Sequence, residues 1–356
     1  MTAPSWPLLA ATAAQCLVLG IVFYLLPQWS RSGHFFALTV DPSFRESEPG
    51  RRILRSYRRQ VLVLTVLSGA LVLWLAGPVM SSLGVLLPVI GFFAVFLNAR
   101  RQVRPFVVEP DLVREVTLHE AETPAVASWP WQIGPFLILL TGAVILWLNW
   151  DLLPDTYVRH WNAQMEPDGW GTKHWRSLGM PLMIGAALCF GMQWMAASLA
   201  SRVRRVDASG DAAASEQERR RAISNLILVV SYFMAVLFSA IAMTPFAQEP
   251  GQAKLALVGI LSLSIFGSLG MVLYMAVMMP KFQAAQRTQE SPSDRSADDK
   301  WIAGVFYYAP EDPAVWVEKR VGIGYTLNMA HRSARWILFL LLGLPVLVIA
   351  GAVWLG

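Results

Sequence analysis

The amino-acid sequence predicts an all-α polytopic membrane protein with about eight transmembrane helices and a small cytoplasmic β-containing unit. Three observations predict it. Of 356 residues, 55% are apolar and only 15% charged, a balance foreign to a water-soluble fold of this size. Apolar runs recur along the whole chain, each near the roughly 20 residues with which a helix crosses a hydrocarbon core about 30 Å thick. Lys and Arg fall on alternate connections between those runs, the pattern left when cytoplasmic loops retain positive charge during insertion.

The first expected span is Pro7 to Leu26; Met1 to Trp6 lacks the basic start of a cleavable signal peptide, so the span is expected to be retained. A basic segment, Gln28 to Gln60, leads to Val61 to Val79 and Leu83 to Leu97, joined around Met80 to Ser82 as a helical hairpin. These make an N-terminal three-span region, 1–130, with basic cytoplasmic loops. The fourth and fifth spans, Trp131 to Trp150 and Leu178 to Leu199, enclose a polar and aromatic outer loop and form a two-span unit, 131–200. The sixth and seventh, Ile223 to Met243 and Ala253 to Met279, form a second two-span region, 201–280. Residues 281–300 are polar and without apolar periodicity from Ala284 to Lys300, which reads as a flexible linker. A cytoplasmic aromatic motif, 301–335, precedes the last span, Trp336 to Leu355, within 336–356.

The segments after the first, third, fifth and seventh spans hold twenty-five of the 29 basic residues, against four (Arg159, Lys173, Arg176 and Lys254) on the other side. This places both termini outside the cytoplasm, in a cytoplasmic (inner) membrane. Trp6, Trp29, Trp131, Trp150, Trp336 and Trp354 lie near span ends, where an indole prefers the headgroup zone. The net charge of +5 is accounted for by anionic lipid rather than nucleic acid, because the basic residues flank spans. The bilayer is therefore the first expected partner.

Short β-branched or aromatic runs, His34 to Val40, Val113 to Leu118, Ala303 to Tyr308 and Val315 to Glu318, are expected to pair into a small sheet under the membrane. A faint echo links two of them: Gly33, Phe35 and Phe36 before Asp41-Pro42, and Gly304, Phe306 and Tyr307 before Asp312-Pro313.

No catalytic group, metal site or cofactor is expected. Asp155, His160, Asp168 and His174 share one loop without a closed zinc spacing, and His119-Glu120 lacks the second His of a metalloprotease signature. Cys16 and Cys189 sit singly inside spans. Expected span interiors hold no Asp, Glu, Lys, Arg or His, which disfavours an intramembrane protease or a proton-coupled path. Their polar residues, such as Gln193, are expected to join helices by hydrogen bonds, and Gly259, Ser264, Gly267, Ser268 and Gly270 to allow close helix approach. Gly322 and Gly324 fit no phosphate-binding spacing, and Lys319, Arg320, Arg332 and Arg335 read as headgroup contacts.

The outer loop carries the most distinctive run, Leu153-Pro154, His160-Trp161-Asn162, then Pro167-Asp168-Gly169-Trp170-Gly171. It resembles the extracytoplasmic motif of a bacterial membrane domain of unknown function, the 1648 family, found in the SdpI immunity family. That family usually has Gly where this chain has Met165. The run Gly304, Phe306, Tyr307, Tyr308, Pro310, Asp312, Pro313, Val317, Glu318, Lys319, Arg320, Gly322, Gly324, Thr326, Leu327 and Asn328 is similar to a second bacterial domain of unknown function, the 5808 family, often C-terminal to the first.

The resemblance implies a non-enzymatic integral membrane protein of immunity or envelope-stress type. Its outer loop, through His160, Trp161, Asn162, Asp168 and Trp170, is then expected to sense or block an extracytoplasmic peptide. Two alternatives stay open: a transporter of an apolar or amphipathic molecule, and a scaffold whose cytoplasmic motif recruits a protein partner.

Overall fold

The computed structural model of the protein describes residues 6–30, 33–75, 78–109, 128–162, 164–200, 210–247, 249–287, 297–322 and 325–339. The chain is mostly helical, with helices α1 (Trp6–Leu25), α2 (Glu48–Leu75), α3 (Pro78–Val103), α4 (Trp129–Leu148), α5 (Trp175–Ala200), α6 (Gly210–Ala242) and α7 (Pro250–Arg287). Among the described residues, five stretches are helical, long and apolar enough to cross a membrane: Trp6–Trp29, Trp129–Leu148, Trp175–Ala197, Arg221–Phe246 and Gly251–Met278. The third expected span lies within α3, whereas the second, Val61 to Val79, outruns α2, which ends at Leu75, and the turn expected around Met80 to Ser82 falls inside α3, which begins at Pro78. The eighth lies largely outside the described residues, with helix seen over 332–339.

Several helices outrun their apolar stretches. α2 begins at Glu48, so Arg51, Arg52, Arg55, Arg58 and Arg59 ride on its first turns instead of lying in a loop. Glu48 faces Arg51 and Arg55 there at 4.0 and 3.8 Å, on an exposed helical face where such pairs add only tenths of a kcal/mol, roughly. α7 likewise continues to Arg287, and Asp298–Lys300 forms a 3-10 turn, so both ends of the expected linker are structured.

α1, α2 and α3 pack together, as do α4, α5 and α6, and α7 lies against α1 and α6. Polar side chains tie the helices: Gln193 Nε2 donates to Gln132 O at 2.8 Å and Tyr232 Oη to Trp131 O at 3.0 Å. Gly267 of α7 receives the Phe233 ring, whereas side chains added at Gly259 or Gly270 would meet nothing within 4 Å, so only part of the small-residue run serves helix packing.

The connections sort to two ends of the bundle. At one end, Leu153 and Tyr157, which follow α4, share a core with Met243 and Phe246, which follow α6. At the other, the segment after α1 meets the end of α3, where Val108 N–H donates to Thr39 O at 3.1 Å. The segment after α7 docks on the same end, with Gly322 N–H bonded to Trp29 O at 3.0 Å and Ser30 bridging Val321. Trp29 is buried by this docking, so it is not the interfacial anchor its place in the sequence suggests.

The short strands form four separate antiparallel hairpins rather than one sheet: β1 (His34–Phe35) with β2 (Leu38–Thr39), β3 (Thr156–Trp161) with β4 (Pro167–Thr172), β5 (Trp301–Ile302) with β6 (Phe306–Tyr307), and β7 (Trp316–Glu318) with β8 (Tyr325–Leu327). Strands of two or three residues satisfy their nearest neighbour through a tight turn before a distant one. A single bridge, Tyr307 to Asn328, links two of the hairpins. Val113 to Leu118 lies outside the described residues. The echo between the two aromatic runs is not a structural repeat, since Phe35 is in a first strand and Phe306 in a second. It holds only at Asp-Pro, where Asp41 and Asp312 each cap an N–H two residues on, at 2.8 and 2.9 Å.

Candidate functional site

The loop between α4 and α5 is a hairpin whose register explains its glycines. Gly171 faces Tyr157 and Gly169 faces His160, and added Cβ atoms would stand 3.0 Å from the Tyr157 ring and 2.7 Å from His160 Cβ. Tyr157 is buried between the strands and the helix ends, with Leu153 beside it. Lys173 fixes the base, donating to Leu153 O at 3.1 Å and lying 5.4 Å from the Trp150 ring.

The turn is organised by Asn162, whose Oδ1 accepts the N–H groups of Gln164 and Glu166, each at 2.9 Å. Met165 closes the turn with φ +58°, the left-handed conformation that glycine adopts without steric cost, and its side chain is buried. The Gly usual at this position in the resembled family is thereby explained. Asn162 is thus part of the frame rather than a presented group.

His160 and Asp168 are presented. His160 Nδ1 lies 2.6 Å from Asp168 Oδ1, and both side chains are exposed. A carboxylate oxygen accepts, so Nδ1–H is the donor of this bond. Trp170 is 63% exposed, while Trp161 is half-buried opposite Pro167. Among the described residues, no three His, Cys, Asp or Glu side chains gather as a metal site.

At the opposite end of the bundle the sequence motif turns inward. Phe35, Phe36 and Ala37 are fully buried among α1, α2 and α3; Phe36 stands edge-on to Tyr57 at 4.8 Å, and Tyr57 Oη donates to Phe23 O at 2.8 Å. Phe36 and Ala37 form the hairpin tip with φ +50° and +60°. That conformation costs each roughly 1–2 kcal/mol, and burying each Phe returns about 1.5–3 kcal/mol, so burial decides.

Two guanidiniums hold the tip. Arg100 Nη1 donates to Phe36 O at 3.1 Å and Ala37 O at 2.7 Å, and Arg320 Nη1 reaches the same Ala37 O at 3.1 Å. Arg320 is 1% exposed, ion-paired with Asp298 and 5.2 Å from the Trp301 ring. It is an interior residue, not a headgroup contact. Asp298 also accepts the Thr39 N–H at 3.2 Å and the Thr39 hydroxyl at 2.8 Å. Burial pulls Arg100, beyond the Leu97 end of its apolar run, down to about 10, with the Asp298 carboxylate opposing.

Asn328, fully buried, accepts from Ala309 N–H at 3.0 Å and donates to Ala309 O and Asp312 O at 2.8 and 3.1 Å. Tyr307 Oη donates to Asp312 Oδ2 at 3.1 Å. Gly304, at φ +76°, lets its hairpin approach Ala37 and Arg100. Phe306, Tyr308, Pro313 and Lys319 are exposed, and Gly324 lies outside the described residues. Asp298, Arg100, Thr39 and Ala37 are partners that no local motif marks.

Residues 136–185 match the family described as Domain of unknown function (DUF1648), and residues 310–335 match the Family of unknown function (DUF5808). The first match takes in most of α4, the whole outer hairpin and the start of α5. The second takes in β7, Arg320, β8 and Asn328 but begins after Gly304 to Tyr308. Neither the curated proteins nor the solved structures match this chain.

Proposed function

We propose that this is a non-enzymatic, multi-pass protein of a bacterial inner membrane, of immunity or envelope-stress type, whose outer hairpin meets an extracytoplasmic peptide. The observation that carries this is the division of labour within one motif. Asn162, Tyr157, Met165 and the two glycines build a fixed hairpin, while His160, Asp168 and Trp170 project from it with their polar edges and indole face exposed. An exposed imidazole oriented by Asp168 offers hydrogen bonding to a peptide, and an exposed indole adds apolar or cationic contact.

Eight crossings with both termini outside are part of the reading. Support comes from the sorting of connections, since segments after α1, α3 and α7 meet at one end and those after α4 and α6 at the other. Those ends match the charge-rich and charge-poor sides of the sequence.

The test is deletion of the gene in its host, challenge with membrane-active peptides from neighbouring strains, and complementation with wild type or His160→Ala. Sensitivity rescued by wild type alone supports the reading. Unchanged survival of the deletion strain removes it and favours transport or scaffolding.

A further inference from the structure

The β5–β6 hairpin has two faces of opposite character. Its inner pair, Trp301 and Tyr307, is buried, with ring centroids 5.0 Å apart and Arg320 beside Trp301. Strand alternation turns the next pair outward: Ile302 is 58% and Phe306 51% exposed, directly opposite each other, with Val305 and Tyr308 exposed alongside. This is an exposed apolar face on a hairpin whose opposite face is already buried in the protein.

Two markers give its depth. The tip at Gly304 abuts Arg100, three residues past Leu97, or about 4.5 Å of helix rise beyond the apolar run of α3. The other edge, Tyr307, is bridged to Asn328, and Met329 N–H donates to Tyr307 O at 2.9 Å, just before the helical stretch 332–339 that starts the last apolar run with Trp336 exposed. The headgroup layer is roughly 5–8 Å thick on each side, so the Gly304 tip falls within it, and the Tyr307 edge sits beside the chain that enters the last apolar run. The surrounding end of the protein holds most of its basic residues, complementary to anionic headgroups.

We infer that the Ile302–Phe306 face of the β5–β6 hairpin is an interfacial anchor, seated at the headgroup and acyl boundary of an anionic cytoplasmic leaflet. The inference rests on α3 crossing the bilayer, and its test separates the two. Single cysteines are placed at Phe306, at Ile302 and, as a control, at Ile90 of α3, which is 65% exposed, with Cys16 and Cys189 replaced by Ala. Each is labelled with an environment-sensitive fluorophore in nanodiscs of mixed anionic and zwitterionic lipid. Nitroxides near the headgroup end of the acyl chain should quench Phe306→Cys and Ile302→Cys, nitroxides deep in the acyl chain should quench Ile90→Cys, and iodide should be ineffective on all three. Quenching of Ile90→Cys alone, with the hairpin labels open to iodide, overturns the anchor and leaves α3 in the membrane. Hairpin labels shielded from both quenchers overturn it in favour of a protein contact, and an unquenched Ile90→Cys overturns the crossing itself.

Discussion

Arg320 and Ala37 are joined by a 3.1 Å hydrogen bond across 283 residues of chain. The acceptor is the carbonyl of a left-handed hairpin tip, and the donor is the most buried large side chain of the C-terminal unit. One carboxylate, Asp298, balances that donor and also binds Thr39, so the two ends of the sequence share one polar cluster.

Removing the carboxylate leaves a buried cation without its partner. Asp298→Ala should destabilise the fold by about 3 kcal/mol, read as a lowered thermal unfolding midpoint in detergent. Arg320→Lys should not preserve stability, because a point ammonium cannot reach Ala37 O, Asp298 and the Trp301 face together.

Asn328→Ala should cost about 1–3 kcal/mol, since it strips the buried Ala309 N–H of its acceptor and takes one of the two partners from each of Ala309 O and Asp312 O. Asn328→Asp should fare no better, because a carboxylate cannot donate to those two carbonyls. Chemical unfolding of the three proteins side by side tests the order.

The contact between hairpin tips is tested by a double-mutant cycle. Gly304→Ala would put a Cβ 2.7 Å from Ala37 Cβ on a backbone at φ +76°, so it should destabilise strongly. Ala37→Gly removes one of the clashing atoms and relieves a left-handed alanine, so the pair together should recover part of the loss, by roughly 1 kcal/mol. Strict additivity would show that the tips do not touch.

On the β3–β4 hairpin, His160→Ala should change stability by less than about 1 kcal/mol, because a solvent-exposed side-chain pair contributes little. Gly171→Val should unfold the hairpin by driving a side chain into Tyr157. Protease protection of the loop in intact cells distinguishes the two.

Met165 sets strain against burial. Glycine would relieve roughly 1–2 kcal/mol of left-handed strain yet forfeit about 2–3 kcal/mol from burying a Met side chain. Stability should therefore fall in the order wild type, Met165→Gly, Met165→Ala, since alanine keeps the strain and loses the burial.

The helical architecture and the outer motif were legible because both are local. An apolar run declares a membrane helix whatever surrounds it, and Pro167-Asp168-Gly169-Trp170-Gly171 announces a turn and strand facing His160-Trp161-Asn162. The inner cluster was not legible. Phe36-Ala37 holds neither Gly nor Asn, the residues that normally mark a two-residue hairpin turn, and its conformation follows from the pocket that α1, α2 and α3 build around it. Arg320 follows Lys319 near a membrane span and so reads as a headgroup contact. Its burial depends on Asp298 and Ala37, and sequence spacing carries no trace of a pairing with Ala37.

The shared cluster also has a consequence for synthesis. A ribosome that has just made Ala37 must add 283 residues before Arg320 exists, roughly 15–60 s at typical elongation rates. From the addition of Arg100, 63 residues after Ala37, until that moment, Arg100 is the one guanidinium of the two that can hold the strained tip. Any chain released early leaves that tip half-secured, so completion of the segment after α7 is the event that certifies the one after α1 as finished.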